Sequence, residues 1–269
     1  DGDVADGVVA MPPIKPFADP IITTTLSIED AGWLSADQGW LVSGDQLYWT
    51  NDQGELWQDI SPAPVQLAYF LPSGEAWALS IQDQNRLSLY RSSSWGATWE
   101  DLEITLPPDA WRPIQLQFTT PSTGWIVLKK VTSQAFNYGI LMKTSDGGLT
   151  WKTYNVPIAS PINFLSDEDG WMVNNSQDVV YHTSDGGHTW MAEQYEKYPL
   201  SILSLPENAT LSGWQADGLG WAVTSTGSCS GNKSTTGFAC QIVTSLEQSL
   251  DGGQTWQDVS LPIDNQPTQ

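Results

Sequence analysis

A short motif recurs five times along the chain and constrains its fold more than any other feature. Four copies lie close to the pattern Ser/Thr-x-Asp-x-Gly-x-Thr-Trp, and in the remaining, second copy Ser94 replaces the aspartate. We expect the aspartate to cap the N–H groups of a tight turn, the glycine to supply a positive φ, and the tryptophan to anchor a hairpin in the core. In chain order these three positions are Asp52, Gly54, Trp57; Ser94, Gly96, Trp99; Asp146, Gly148, Trp151; Asp185, Gly187, Trp190; and Asp251, Gly253, Trp256.

Two further aromatic positions accompany each copy of the motif. A Gly-Trp or Ala-Trp pair precedes every copy, and an aromatic residue stands seven positions before each of those tryptophans. The repeat is defined without this earlier aromatic residue, so the presence of the aromatic in all five units is an independent check of the repeat. Twelve of the 15 tryptophans thereby occupy positions that recur in the repeats, which leaves Trp49, Trp95 and Trp111 unassigned. The paired tryptophans are Trp40, Trp77, Trp125, Trp171 and Trp221, and the earlier aromatics are Trp33, Phe70, Phe118, Phe164 and Trp214.

Each repeat is interpreted as four short antiparallel strands. The first strand carries the isolated aromatic, the second begins at the Gly-Trp pair, the third runs into the motif and the fourth leaves it. Helical periodicity is absent, and radial repetition of such units forms a propeller. We therefore predict an all-β, five-bladed β-propeller over residues 21–263, with a flexible leader at 1–20 and a tail at 264–269. The predicted blades are approximately 28–61, 62–106, 107–157, 158–205 and 206–262.

With these motifs in hand, the chain resembles the Asp-box, or bacterial neuraminidase repeat (BNR), propellers. The combination of a Gly-Trp pair with Thr-Ser-Asp-Gly-Gly-x-Thr-Trp is most similar to the branch of photosystem II assembly and stability factors. That resemblance covers residues ~28 to 262 and implies a scaffolding propeller that binds a protein partner. It also implies that the motifs lie at turns on the opposite face from the ligand-binding loops. The motif itself is a folding device and does not specify function.

The charge of the chain limits its partners. Ten Lys+Arg stand against 31 Asp+Glu, a formal net charge of −21, which repels nucleic acids and anionic membrane surfaces. We therefore expect no nucleic-acid partner and no membrane insertion, although the leader could serve as a tether. Seven of the ten cations fall in the second and third repeats, so one side of the molecule is predicted to be less acidic.

Cysteine and histidine usage argues against a zinc site and indicates the cellular compartment of the protein. Cys229 and Cys240 lie in one Gly/Ser/Thr-rich segment, and a disulfide closing that loop is the economical interpretation. We predict that this bridge lies in a protruding loop between the second and third strands of the last blade. A disulfide implies a secreted, periplasmic or cell-surface protein. Two cysteines and two histidines do not make a zinc site, so no metal and no cofactor are expected.

The loops opposite the motif turns form the candidate binding face. Aromatic residues in loops, beside cations, suit both protein interfaces and sugar stacking; packing within the loops is the alternative. The candidate residues are Asp83, Arg86, Trp111, Arg112, Lys129, Lys130, Phe136 and Tyr138.

Two classes of function follow, and no residue is assigned a catalytic role. A sialidase needs three arginines from different blades, whereas Arg86 and Arg91 share one predicted hairpin, so no sialidase activity is expected. Another glycosidase would need a carboxylate pair, for which Asp45, Asp83, Asp109 and Asp178 are candidates. We favour a non-catalytic, protein-binding or assembly scaffold, with a carbohydrate-active protein (lectin or glycoside hydrolase) as the alternative. A shallow aromatic and cationic face favours the first, and a deep central pocket with two acids favours the second.

Closure of the ring requires one further prediction. Residues 21–26 are strongly β-prone and precede the first repeat. We predict that they pair beside residues 256–260 as an outer strand of the last blade; a surface strand on the first blade is the alternative.

Overall fold

A computed structural model describes residues 27–83, 86–109, 111–131, 138–173, 179–194, 206–214, 218–230 and 239–262. This part of the chain contains twenty strands and no helix, and hence no helix that could cross a membrane. The strands are β1 Asp30–Trp33, β2 Gly39–Ser43, β3 Gln46–Thr50, β4 Gln58–Asp59, β5 Leu67–Phe70, β6 Ala76–Asp83, β7 Arg86–Ser92, β8 Glu100–Thr105, β9 Trp111–Phe118, β10 Gly124–Lys130, β11 Gly139–Thr144, β12 Lys152–Val156, β13 Ile162–Phe164, β14 Gly170–Val173, β15 Val180–Thr183, β16 Met191–Glu193, β17 Ala209–Trp214, β18 Gly220–Ser230, β19 Ala239–Ser249 and β20 Gln257–Val259.

The strands form five antiparallel sheets of four consecutive strands, here called blades 1 to 5. Contacts of β5 with β1 and β9, and of β1 with β17, bring the first strands of neighbouring blades together, so these strands are innermost. The predicted five-bladed propeller is confirmed. Every second strand begins at the predicted Gly-Trp or Ala-Trp pair, and every fourth strand begins one residue after the motif tryptophan.

Across the seams between blades, the tryptophan of a Gly-Trp or Ala-Trp pair stacks on the earlier aromatic residue of the next repeat. Trp77 of blade 2 stacks on Phe118 of blade 3, with ring centroids 3.6 Å apart and planes 4° apart. Trp125 stacks in the same way on Phe164 of blade 4, with centroids 4.0 Å apart. The aromatic that each of these tryptophans contacts therefore belongs to the following repeat. Each stack belongs to the separate apolar cluster that joins its two blades.

The motif turns have the predicted geometry. In the third copy, Asp146 Oδ1 accepts the Thr150 N–H at 2.9 Å and the Thr144 hydroxyl at 2.8 Å. Gly147 and Gly148 have φ of 75° and 103°, a region that favours glycine. The Gly147 N–H also donates to the Ser122 carbonyl at 2.8 Å, which fixes the motif turn to the first turn of its blade. Hydrogen bonds from the side chain and backbone of Thr255 similarly lower the pKa of Asp251 from 3.8 to about 2.

The expectation that all five motif tryptophans are buried is wrong. Trp57 is buried, but the other four are only half-buried. The reason is that the motif leads into the fourth strand, which lies at the outer rim of the propeller. There the indoles occupy seams between blades: Trp57 and Trp99 donate to the preceding blade at Ser260 O (2.7 Å) and Ile60 O (2.9 Å).

The three unassigned tryptophans belong to the core. Trp49 is 4% exposed, stacks on Phe70 and contacts Trp95 across the seam between blades 1 and 2. Trp111, predicted to lie in a loop, begins β9 and is 8% exposed. The sequence analysis did not assign these tryptophans to the core because none of them recurs at the same position in other blades.

The second motif offers a test of the capping aspartate. Ser94 Oγ accepts the Thr98 N–H at 3.1 Å and lies 3.0 Å from the Thr98 hydroxyl, whereas Asp146 uses a second, charged oxygen to accept the Thr150 hydroxyl. We expect Ser94→Asp to raise the free energy of unfolding by about 1 kcal/mol, since it adds a charge-assisted hydrogen bond at an exposed turn. Urea denaturation measures this gain, and Ser94→Asn is the uncharged control. A loss of stability in Ser94→Asp would contradict the assignment of Ser94 to the capping position.

Blades 5 and 1 meet through an apolar cluster that includes Trp33, Leu41, Val223 and Leu246. The Trp221 indole donates to Ala31 O at 3.0 Å, and these contacts close the ring. The outer strand predicted at 21–26 lies outside the described residues and stays a prediction.

The second hairpin of blade 5 extends well beyond its counterparts. β18 and β19 have eleven residues each, and their register places Cys229 and Cys240 directly opposite one another. This pairing is compatible with the predicted disulfide, but the side chains lie outside the described residues, so the bridge stays a prediction.

Candidate binding face

The loops after each second strand and after each fourth strand lie on the face opposite the motif turns. Six of the eight candidate binding residues have described side chains: Arg86, Trp111, Arg112, Lys129, Lys130 and Tyr138. Phe136 and the side chain of Asp83 lie outside the described residues. Arg86 begins β7 in blade 2, whereas the other five described candidates lie together in blade 3.

The register of β9 and β10 brings four of these residues into two cross-strand pairs. Trp111 lies opposite Lys130, and Arg112 lies opposite Lys129. Because successive side chains of a strand point to opposite faces of the sheet, the two pairs lie on opposite faces. A register shift between Val127 and Leu128 precedes both pairs.

On one face, aromatic and charged groups support each other. The Lys130 ammonium lies 5.9 Å from the centroid of the Trp111 ring and 2.8 Å from the Asp109 carboxylate. The rings of Trp111 and Tyr138 are 5.9 Å apart, and Tyr138 is 45% exposed. Trp111 is thus buried beneath an exposed tyrosine and a partly exposed lysine. Tyr138, and not Trp111 as predicted, offers the aromatic surface to a partner.

On the other face, Arg112 and Lys129 form an exposed pair of like charges. No ion-pair partner of either is found in the described part of the chain. Like charges directly opposite on neighbouring strands destabilise a sheet by roughly 0.2–1 kcal/mol. A carboxylate from a partner would relieve this repulsion, so the pair can bind an anionic group.

Sequence reasoning missed Asp30, which lies on the innermost strand β1. Its Oδ2 accepts the Ala68 N–H of blade 2 at 2.9 Å, and its Oδ1 accepts the Ala31 N–H at 3.0 Å. Burial raises the pKa of this carboxyl from 3.8 to about 7, although both backbone N–H groups lower it. Part of the residue remains accessible to solvent, but protein atoms surround the carboxylate. The sequence signal was an acid inside an inner strand, three residues before Trp33.

Gln115 shows what Asp30 does in the fold. In the seam between blades 3 and 4, Gln115 Oε1 accepts the Ile162 N–H at 2.7 Å and its amide donates to Ile162 O at 2.8 Å. Gln115 precedes Phe118 by three residues, as Asp30 precedes Trp33. Asp30 therefore holds blade 1 to blade 2 at the corresponding point, and its neighbour Tyr69 has a pKa raised by burial.

The candidate glycosidase acids are engaged in other contacts where they are described. Asp45 accepts the Gln66 amide at 3.1 Å, and Asp109 pairs with Lys130. Asp178 and the side chain of Asp83 lie outside the described residues. Within the described ranges, no group of three His, Cys, Asp or Glu side chains is arranged to hold a metal ion.

A separate cavity of about 360 Å³ lies at the rim, between blades 2 and 3. Its walls come from the end of β8 and the following link on one side, and from the third motif turn and β12 on the other. None of the predicted binding residues lines it. The lining residues are Glu103, Ile104, Thr105, Leu106, Pro107, Met142, Leu149, Thr150, Trp151 and Thr153.

Comparison with known families supports the predicted resemblance. Residues 91–210, a little under half of the chain, match the family model described as photosynthesis system II assembly factor YCF48. The predicted resemblance to Asp-box propellers of this branch is thereby confirmed. Comparison with curated proteins finds no significant match.

Several solved structures are similar to the chain. YCF48 from Cyanidioschyzon merolae is 17% identical, with 88% of this chain and 86% of that chain covered and a TM-score of 0.46. The GH74 enzyme of Niastella koreensis is 14% identical over 90% of this chain, which spans 32% of the enzyme, with a TM-score of 0.42. The GH93 alpha-L-arabinofuranosidase of Fusarium graminearum is 16% identical, covering 93% and 85% of the two chains, with a TM-score of 0.43. All three TM-scores are below 0.5 and carry no inference about activity.

Proposed function

We propose that this Asp-box propeller is a non-catalytic scaffold that binds a protein partner through the exposed end of blade 3. The observation that carries the proposal is the Arg112–Lys129 pair, two exposed cations held side by side in a chain of net charge −21. Protein interfaces are enriched in arginine and tyrosine, and Tyr138 lies on the adjoining loop. An acidic segment of the partner would form ion pairs with Arg112 and Lys129 on one face of the blade and would cross the end of the blade to contact Tyr138 on the other face.

The family match supports the same class of function. The model that matches residues 91–210 describes an assembly factor, and such a factor acts by binding other proteins. We further propose that the protein works in a secreted, periplasmic or cell-surface setting, in which the Cys229–Cys240 bridge can form. The crosslinking experiment below identifies the partner.

Site-specific crosslinking in the native host tests the proposal. With a photoreactive phenylalanine at position 138, we expect a crosslink to one protein, and we expect Arg112→Glu/Lys129→Glu to reduce its yield by about tenfold. The control is Lys152→Glu, which reverses an exposed cation on β12 and is expected to leave the yield unchanged.

Two results would contradict the proposal. One is a crosslink yield that is the same in the double variant and in the Lys152→Glu control. The other is hydrolysis of a glycoside substrate, such as a fluorogenic sialoside, at an enzyme-like rate by the pure protein.

A further inference from the structure

The fourth strand of blade 2 is longer than its counterparts. β8 has six residues, whereas β4, β12, β16 and β20 have two, five, three and three. It ends its sheet and, in the described part of the chain, pairs only with β7. The outer edge of β8 therefore carries unpaired backbone donors and acceptors, which can accept an extended peptide as a fifth strand.

The rim cavity lies beside this free edge. Glu103–Pro107 forms one wall, and Leu149 and Trp151 of blade 3 form the other. Leu149 is 62% exposed and Trp151 is half-buried, so the cavity offers apolar surface to the side chain of a bound peptide. A strand added to β8 would direct alternate side chains toward blade 3, where one of them can enter the cavity.

Comparison with the next seam explains why the cavity is open. Between blades 3 and 4, the rings of Tyr154 and His188 lie 4.2 Å apart and contact each other across the seam. The equivalent positions between blades 2 and 3, counted from the motif tryptophans, are Leu102 and Leu149. Two leucines therefore stand in place of the two rings, and Leu149 lines the cavity beside Trp151.

The charge of β8 selects the occupant. Glu100, Asp101 and Glu103 are all exposed on this strand. An incoming strand lies about 4.8 Å away, so basic side chains on it would pair with these acids. A second copy of this chain, with its net charge of −21, would be repelled.

We propose that the β8 edge and the adjoining cavity bind an extended basic segment of a partner protein by strand addition, with one large apolar side chain packed on Trp151. This surface is distinct from the Arg112–Lys129 pair and takes the opposite charge. Either proposal can therefore fail without the other.

Fluorescence anisotropy with designed peptides tests this inference on the full chain. The probes are three labelled nine-residue peptides that alternate lysine and valine, with phenylalanine, tryptophan or leucine at the centre. At about 150 mM salt, where charges more than about 8 Å apart are screened, we expect saturable binding of at least one peptide. Hydrogen exchange should then show protection of the β8 amides.

Two variants address the two parts of the site. Leu102→Tyr/Leu149→His, the cavity-filling variant, places beside the cavity the ring pair that the next seam already accommodates, and Asp101→Lys/Glu103→Lys reverses the charge of the edge. We expect each to weaken binding by about tenfold or more. The matched controls are Gln254→His, at the same motif position in blade 5, and Asp59→Lys/Asp258→Lys, on the fourth strands of blades 1 and 5; we expect binding within about twofold of wild type for both.

The inference is overturned if no peptide binds saturably, or if the charge-reversal control weakens binding as much as Asp101→Lys/Glu103→Lys does. Unchanged affinity in the cavity-filling variant, with its unfolding midpoint preserved, would also overturn it.

Discussion

Replacing Asp30 with asparagine is expected to remove most of the pH dependence of stability between pH 4 and 7. The folded pKa of this carboxyl, about 7, lies above its unfolded value near 3.8. Between these values the folded chain binds a proton that the unfolded chain has lost, so wild-type stability falls as pH rises through this window. Full linkage would amount to about 4 kcal/mol; since the residue keeps some contact with solvent, we expect about 2 kcal/mol.

Asparagine suits this position because its amide resembles the protonated carboxyl. It keeps an acceptor for the Ala68 N–H, as Gln115 does for Ile162. Urea denaturation should show the variant to be about as stable as wild type at pH 4 and more stable at pH 8. Asp258→Asn, an exposed acid on β20, is the control and should retain the wild-type slope. Parallel pH profiles for wild type and Asp30→Asn would refute the assigned role.

Truncation of Trp77 to alanine is expected to cost about 3–5 kcal/mol of unfolding free energy. Trp77 has no exposed surface, stacks on Phe118 and donates its indole N–H to Gly147 O at 3.1 Å. The substitution would leave a cavity at the seam between blades 2 and 3 and would deprive the Gly147 carbonyl of its donor. We expect the unfolding midpoint in urea to fall sharply while the far-ultraviolet spectrum of the folded state is kept.

Trp77→Phe separates the two contributions. It keeps an aromatic ring against Phe118 but loses the hydrogen bond to Gly147, for which we expect a smaller loss of about 1–2 kcal/mol. Trp190→Ala, at a half-buried rim position, should also cost less than Trp77→Ala. Equal losses of unfolding free energy in Trp77→Ala and Trp190→Ala would show that the aromatic stacks do not stabilise the seams between blades.

The sequence by itself determined the repeat, the number of blades and the boundaries of many strands. The second strands begin at Gly39, Ala76, Gly124, Gly170 and Gly220, as the aromatic pairs indicated. Such features are local: a turn needs its capping aspartate and its positive-φ glycine within a few residues, so a motif of eight residues specifies it. The sequence also assigned seven of the ten cations to blades 2 and 3, because each blade is a continuous segment of the chain.

The tertiary structure alone decided how the blades meet. Trp77 packs on Phe118 of the next repeat, and Trp111 lies in the core beneath Tyr138, because packing partners at a seam are far apart in sequence. Register placed Arg112 beside Lys129, and a register slip of one residue would have sent them to opposite faces. The raised pKa of Asp30 likewise depends on the surroundings that the closed ring provides. Burial and cross-seam contact are properties of the assembled ring, and no single repeat contains them.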